Sequence, residues 1–181
     1  KMKKLVWVVP LVLLFCFTIA CQDKAAMAEL EKYKAQAAVE TQNKELVRSF
    51  WSAIDKNDFA KLKELTTDDF SIKAPGLAEP TKLEDVFQAI KTHYAAFPDW
   101  KHAIEDMLVE GGKVAVKLLQ NGTHEGVFEG IPPTDKKLTL PTICLMVISN
   151  GKVSELWALE DTLGFYQQLG MELKPKEETK K

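Results

Sequence analysis

The residues best equipped for chemistry stand in two short stretches. GTHEGVFEGIPPTDKKL, Gly122 to Leu138, sets one histidine, His124, among three glycines and a double proline, between two apolar, strand-like runs. NGKVSELWALED, Asn150 to Asp161, ends in two neighbouring carboxylates, Glu160 and Asp161. A histidine titrates near neutral pH and can serve as base or hydrogen-bond donor, and a carboxyl group in an apolar site can serve as general acid or base. Strand alternation along LWALED puts Asp161 on the face of Trp157 and Leu159, and Glu160 on the face of Ala158. Each has a plainer role: His124 could steady the glycine-rich segment, Asp161 could cap the helix that TLGFYQQLG begins, and Glu160 could simply be solvated. His93, beside Tyr94 on a helical stripe, and His102, alternating with Ile104, read as surface or packing residues. Three histidines without paired spacing give no support for a metal site.

The ends narrow the setting. Lys1, Lys3 and Lys4 precede the uncharged run LVWVVPLVLLFCFTIA, Leu5 to Ala20, which stops at Cys21. The run is broken by Pro10 and short of the about 20 residues of a spanning helix, so residues 1–20 read as a secretory signal. An uncleaved signal anchor is the alternative. TIAC resembles the bacterial lipobox, with Thr18 where leucine is commoner, which implies a lipid-acylated Cys21 and a cell-envelope lipoprotein outside the inner membrane. Gln22, rather than aspartate, favours export to the outer membrane, facing the periplasm. Signal removal takes Cys16 and acylation uses Cys21, leaving Cys144, so the mature chain has no pair for a disulfide and no cysteine-based metal site. A net charge of -2 gives no reason to expect nucleic acid as a partner.

The elements that must position these groups follow from periodicity. Residues 21–43, rich in Ala, Glu, Lys and Gln with Met27, Leu30, Tyr33 and Ala37 at helical spacing, read as a helical or flexible tether, or as a short coiled coil. Leu46, Val47, Phe50, Trp51 and Ile54 share one face of a helix ending near Asn57. DFAKLKEL forms a second helix with Asp58 as N-cap, and Leu83, Val86, Phe87, Ile90, Tyr94 and Phe97 stripe a third, closed by Pro98. The period then becomes two, predicting strands over Lys101 to Glu110, Lys113 to Asn121, Leu138 to Ser149 and Lys152 to Glu160, an antiparallel meander on a helical layer: α+β. Residues 172–181 read as a disordered tail. Both faces of LTLPTICLMVIS are apolar, and helices cover only one, so a homodimer through sheet faces is expected. Phe50, Trp51, Tyr94, Phe97, Trp100 and Trp157 line either the core or a cavity.

Five blocks carry a family resemblance: NKELVRSFWSAIDKNDFAKLKELTTDDF, AAFPDW, GTHEGVFEGIPPTDKK, NGKVSELWALED and YQQLG, in this order between Asn43 and Gly170. Together they resemble the SnoaL-like polyketide cyclase or ester cyclase family. The resemblance implies a SnoaL-like domain over 44–171 with the cone-shaped fold of nuclear transport factor 2 and scytalone dehydratase, in which a curved sheet wraps around the helices and leaves an apolar pocket. Cyclases of this family close a ring by an intramolecular aldol reaction, without a cofactor, using a pocket carboxylate. Laid over the family without gaps, the acid/base aspartate falls on Ala158 and a pocket histidine on Cys144, which reads as inert packing. His124 and Asp161 match family positions and become the acid/base candidates, with Glu160 behind them. Trp157, Cys144, Phe50, Trp51, Tyr94, Phe97 and Trp100 are the expected pocket residues. The functional expectation is a cofactor-independent cyclase, lyase or isomerase acting on an apolar small molecule. A lipid-anchored protein that binds a hydrophobic ligand without chemistry is the alternative, and an assembly module a third.

Overall fold

A computed structural model describes residues 8–76, 79–172 and 174, with side chains from residue 24 onward. The chain divides into two units, Lys1–Thr41 and Gln42–Lys181. Helix α1 runs over Val8–Asp55. Its part in the first unit exposes Met27, Leu30, Tyr33 and Val39. No helix among the described residues is long and apolar enough to cross a membrane. Residues 1–7 of the expected signal segment, and most of the expected tail, lie outside the described residues, as does the Cys21 side chain.

In the second unit, α1 buries Val47, Phe50, Trp51 and Ile54, residues three or four apart, which is why this face turns inward. The chain leaves the helix through Asn57, whose φ of 54° lies in the left-handed region that asparagine tolerates. Asp58 then caps α2 (Phe59–Leu65) by accepting from the Lys61 N–H at 2.9 Å, as the sequence indicates. Strands β1 (Thr66–Lys73) and β2 (Thr81–Lys82) precede α3 (Leu83–Ala96). After α3 come β3 (Lys101–Glu110), β4 (Lys113–Thr123), β5 (Lys137–Ser149), β6 (Lys152–Glu160) and α4 (Thr162–Leu169).

The strands form one curved, unclosed sheet in the order β2-β1-β6-β5-β4-β3, so the fold is the α+β arrangement expected. The meander β3 to β6 is antiparallel, whereas β1 joins β6 in parallel. Along β5, Leu138, Leu140, Thr142, Cys144 and Met146 are buried while Ile143 and Leu145 stay exposed, so the two apolar faces read from its sequence are both present. The inner face packs on α1 and α3 in one core, and a second core gathers Phe97, Trp100, Leu138, Leu140, Phe165 and Leu169 beside it. Each large apolar side chain removed from water contributes about 1.5–3 kcal/mol.

The glycine-rich segment bridges β4 and β5. Its base is closed by the His124 N–H to Lys136 O (3.0 Å) and the Asp135 N–H to His124 O (2.9 Å). It docks on the end of α3 through the Glu125 and Gly126 N–H groups, both donating to Ala96 O at 2.9 Å. A Cβ on Gly126 would lie 2.2 Å from Ala95 O, and one on Gly122 2.5 Å from Trp100 Cε3, so these two positions need the space glycine leaves. Only Gly130 of the three uses a left-handed backbone (φ 82°).

Candidate functional site

A cavity of about 540 Å³ opens between α3, the end of α1, the inner face of the sheet and the glycine-rich segment. Its walls are apolar where Ile54, Val86, Ile90 and Leu140 meet it, and aromatic at Tyr94, Trp100 and Phe128. His93, His102, Gln120, Glu129 and Glu160 supply polar groups. Phe128 and Glu129 belong to the glycine-rich segment, which thus supplies part of the pocket's lining.

Asp55, the last residue of α1, organises one wall. Its Oδ1 lies 2.6 Å from His102 Nδ1, accepts from the His102 backbone N–H at 3.2 Å, and accepts from the Tyr94 hydroxyl at 3.2 Å. The His102 ring also stacks on Trp51, with centroids 4.8 Å apart and planes at 27°. A carboxylate on Nδ1 holds the proton there, fixes the ring, and leaves Nε2 as the basic nitrogen. Burial, then the Asp55 charge beside it, raise the Tyr94 phenol well above its ordinary value, so it remains a hydrogen-bond donor.

A second polar chain crosses the inner sheet face. The Trp100 indole N–H donates to Gln120 Oε1 (3.1 Å), and Gln120 Nε2 donates to Thr142 Oγ1 (2.7 Å) and Glu160 Oε1 (3.3 Å). With the indole fixing which end of the amide is oxygen, the amide N–H₂ is aimed at Glu160. His93 sits among aromatic rings, stacked on Phe97 at 4.8 Å and edge-on to Trp100 at 4.7 Å. Burial first, and then the charge of His102, push its imidazole down to about 4, so it is neutral at physiological pH. Among the described residues no group of three or more His, Cys, Asp or Glu side chains is arranged to hold a metal ion.

Of the acid–base and pocket residues expected from the sequence, Tyr94, Trp100 and Glu160 line this cavity, as do His93 and His102, which the sequence reads as surface or packing residues. The others of that set lie outside the lining of this cavity. His124 is fully buried, stacks on Phe97 at 5.0 Å and has Nδ1 3.1 Å from Thr134 Oγ1, the loop-steadying role. Asp161 caps α4 by accepting from the Gly164 N–H at 3.0 Å, and meets a depression on the outer sheet face with Ile143 and Leu159. Trp157 lies in an outer-face groove with Leu108 and Leu145. Phe50 and Trp51 belong to the first core and Phe97 to the second. Cys144 is fully buried in the first core, and burial, then the Glu160 charge, push its thiol up to about 12, which suits packing rather than nucleophilic attack. Ala158 stands opposite Cys144 in the β5–β6 register and packs against the same core.

Asp55, His93, His102 and Gln120 were the residues sequence reasoning missed. A signal existed for three of them. Asp55 follows Trp51 by four positions, His93 follows Val86 and Ile90 by seven and three, and His102 shares strand parity with Ile104, so each continues an apolar face inward.

A curved sheet holding helices on one face, with a largely apolar pocket between them that carries a few polar groups, defines a nuclear-transport-factor-2-like pocket protein. A family model described as SnoaL-like polyketide cyclase matches residues 44–169, and the chain belongs to that family. Among solved structures, the chain is similar to IdmH, a candidate polyketide cyclase from Streptomyces antibioticus, at 26% identity over 72% of this chain and 99% of that one, TM-score 0.66. A candidate polyketide cyclase from Bacillus cereus shares 28% identity over 72% of this chain and 81% of its own, TM-score 0.62. AclR, a candidate hydroxylase from Streptomyces galilaeus, has the same fold at 21% identity over 72% and 97%, TM-score 0.66. None of the curated proteins compared with the chain matches it.

Proposed function

We propose that the protein is a cofactor-independent acid–base enzyme, a cyclase, lyase or isomerase acting on an apolar small molecule in the cavity. His102 is the general base, Asp55 orients it and stabilises its protonated form, Tyr94 positions Asp55, and Glu160 is a second proton-handling group on the opposite wall. The observation that carries this reading is the 2.6 Å contact of Asp55 Oδ1 with His102 Nδ1 at the wall of a largely apolar cavity. General-base catalysis of this kind is worth about 10²–10⁴-fold in rate. In an assay of a panel of poly-β-keto esters followed by mass spectrometry, His102→Gln and Asp55→Asn should each lower kcat by about that factor with little change in KM. Unaltered turnover in both variants would remove the assignment, and stoichiometric binding of the panel without turnover would favour the carrier alternative.

The remaining expectations belong to the same proposal. The protein is a lipoprotein anchored through Cys21 in the cell envelope, and it pairs with a second copy through the outer sheet face. Support for the first is the lipobox-like TIAC. Support for the second is the row of exposed apolar residues on that face, Leu108, Ile143, Leu145 and Leu159.

A further inference from the structure

We infer that the short hairpin at the tip of the glycine-rich segment is a gate on the cavity, with Phe128 as its moving wall and the Tyr166–Glu129 hydrogen bond as its latch. The gate rests on the reading of the cavity as the site of an apolar small molecule, and it holds whatever chemistry follows there.

The tip is built to move as one piece. Phe128 and Ile131 exchange backbone hydrogen bonds, the Phe128 N–H to Ile131 O at 3.0 Å and the Ile131 N–H to Phe128 O at 2.8 Å. Between them Glu129 and Gly130 have φ of 48° and 82°, the two left-handed residues of a tight two-residue turn. Both flanks are fixed. On one side the Glu125 and Gly126 N–H groups hold Ala96 O, and on the other, beyond Pro132 and Pro133, the Thr134 and Asp135 N–H groups return to His124 O at 3.3 and 2.9 Å. Among the described residues, no backbone hydrogen bond ties residues 127–133 to anything outside that stretch.

Side chains therefore hold the tip down. Phe128 and Ile131, both half-buried, pack against the second core, with the Phe128 ring 5.2 Å from Phe97 and 5.7 Å from Phe165. Val127 is 66% exposed, and a side chain at Gly130 would meet open space. The polar tie comes from α4, where the Tyr166 hydroxyl donates to Glu129 Oε2. That hydrogen bond, then burial, push the phenol up to about 12, so it keeps the proton it donates. Phe128 and Glu129 line the cavity and Tyr166 does not, so Tyr166 acts on the cavity through the tip.

A segment held by few buried contacts and no backbone bonds opens at low free energy, and passage of a ligand then follows the fraction of time it is open. The latch joins two parts of the protein and is the same with the cavity empty or filled. Loosening it raises opening equally in both states, so entry and exit quicken by one factor and affinity is unchanged. A group that merely touches the ligand changes chiefly the rate of exit.

The test uses 6-propionyl-2-(dimethylamino)naphthalene, an apolar ketone whose fluorescence is excited by energy transfer from the protein's tryptophans, of which Trp100 lines the cavity. Stopped-flow mixing with the full-length protein gives kon, and dilution of the complex gives koff. Tyr166→Phe, which removes only the hydroxyl, should raise kon and koff together by about 10-fold and leave Kd unchanged. Glu129→Ala should raise kon by a similar factor, and the double variant should be no faster than either single one, because both remove one interaction. In a Phe128→Ala background, where the moving wall is already gone, Tyr166→Phe should have no effect on either rate. Unchanged rates in Tyr166→Phe, a rise confined to koff, or effects that multiply in the double variant would overturn the gate and leave the cavity as a binding site. A wild type that does not take up the probe would overturn the reading of the cavity, and the gate with it.

Discussion

The same side chain stands in opposite surroundings at two places around one cavity. His102 meets the Asp55 carboxylate, whereas His93 meets Phe97 and Trp100, which offer nothing to a cation's hydration. A consequence can be read in stability. The His93 imidazole takes up a proton near 4 in the fold against 6.5 in the open chain. Between these values the unfolded chain binds more protons, so the contribution is complete above pH 6.5 and is lost as pH falls towards 4, amounting to at most roughly 3 kcal/mol. Urea midpoints at pH 7 and pH 4.5 should therefore differ less in His93→Phe than in wild type, and an equal difference would show that His93 is not the group responsible. Neither histidine stood out in the sequence, because a histidine on an apolar stripe is as good a packing residue as a catalytic one. What sets His102 apart is the partner at its Nδ1: Asp55 reaches this ring on β3 from the end of α1.

At the level of elements, Asp161, an acid–base candidate of the sequence and equally a capping one, is the N-cap of α4. Asp161 stands at the junction of β6 and α4, its side chain turned back onto the Gly164 N–H. Gln168, further along α4, donates from Nε2 to Thr139 O at 2.8 Å and accepts from the Thr139 N–H at 2.9 Å, pinning the helix to β5. Asp161→Ala should cost about 1 kcal/mol in thermal or urea unfolding while binding of the poly-β-keto ester panel stays as in wild type, and Asp161→Asn should restore the stability. A loss of binding at unchanged stability would return Asp161 to the pocket. The meander was legible because its period is clean: β3 and β6 have the limits read from LVEGGK and ISNGKV, with the turns where the paired glycines and Asn-Gly stand. β1 was not legible. Asp68 and Asp69, both exposed, interrupt its alternation, and the register against β6 shifts between Thr66 and Ser71.

For the whole molecule, the unanswered surface is the outer face of the sheet. Leu108 is 71% exposed, Leu145 and Leu159 50% and Ile143 44%, and together with Trp157 they make a contiguous apolar patch of the kind that marks an interface. Native mass spectrometry of the protein from its own membrane fraction should give a dimer carrying an acylated Cys21, and Leu145→Asp should give monomers with the same lipid. Monomeric wild type would end the pairing proposal, and an unmodified cysteine the lipoprotein one. One feature of the sheet also constrains how the chain reaches this state. Thr66 of β1 pairs with Val153 of β6, and α3 and the strands β3, β4 and β5 are made between them. The hairpins from β3 to β6 can close locally as they emerge, and β1 can meet β2, but the parallel pairing cannot form early, so the other side of β1 waits until β6 has been made. A chain that crosses a membrane before folding would not have that order imposed on it, since its first and last strands would become available together.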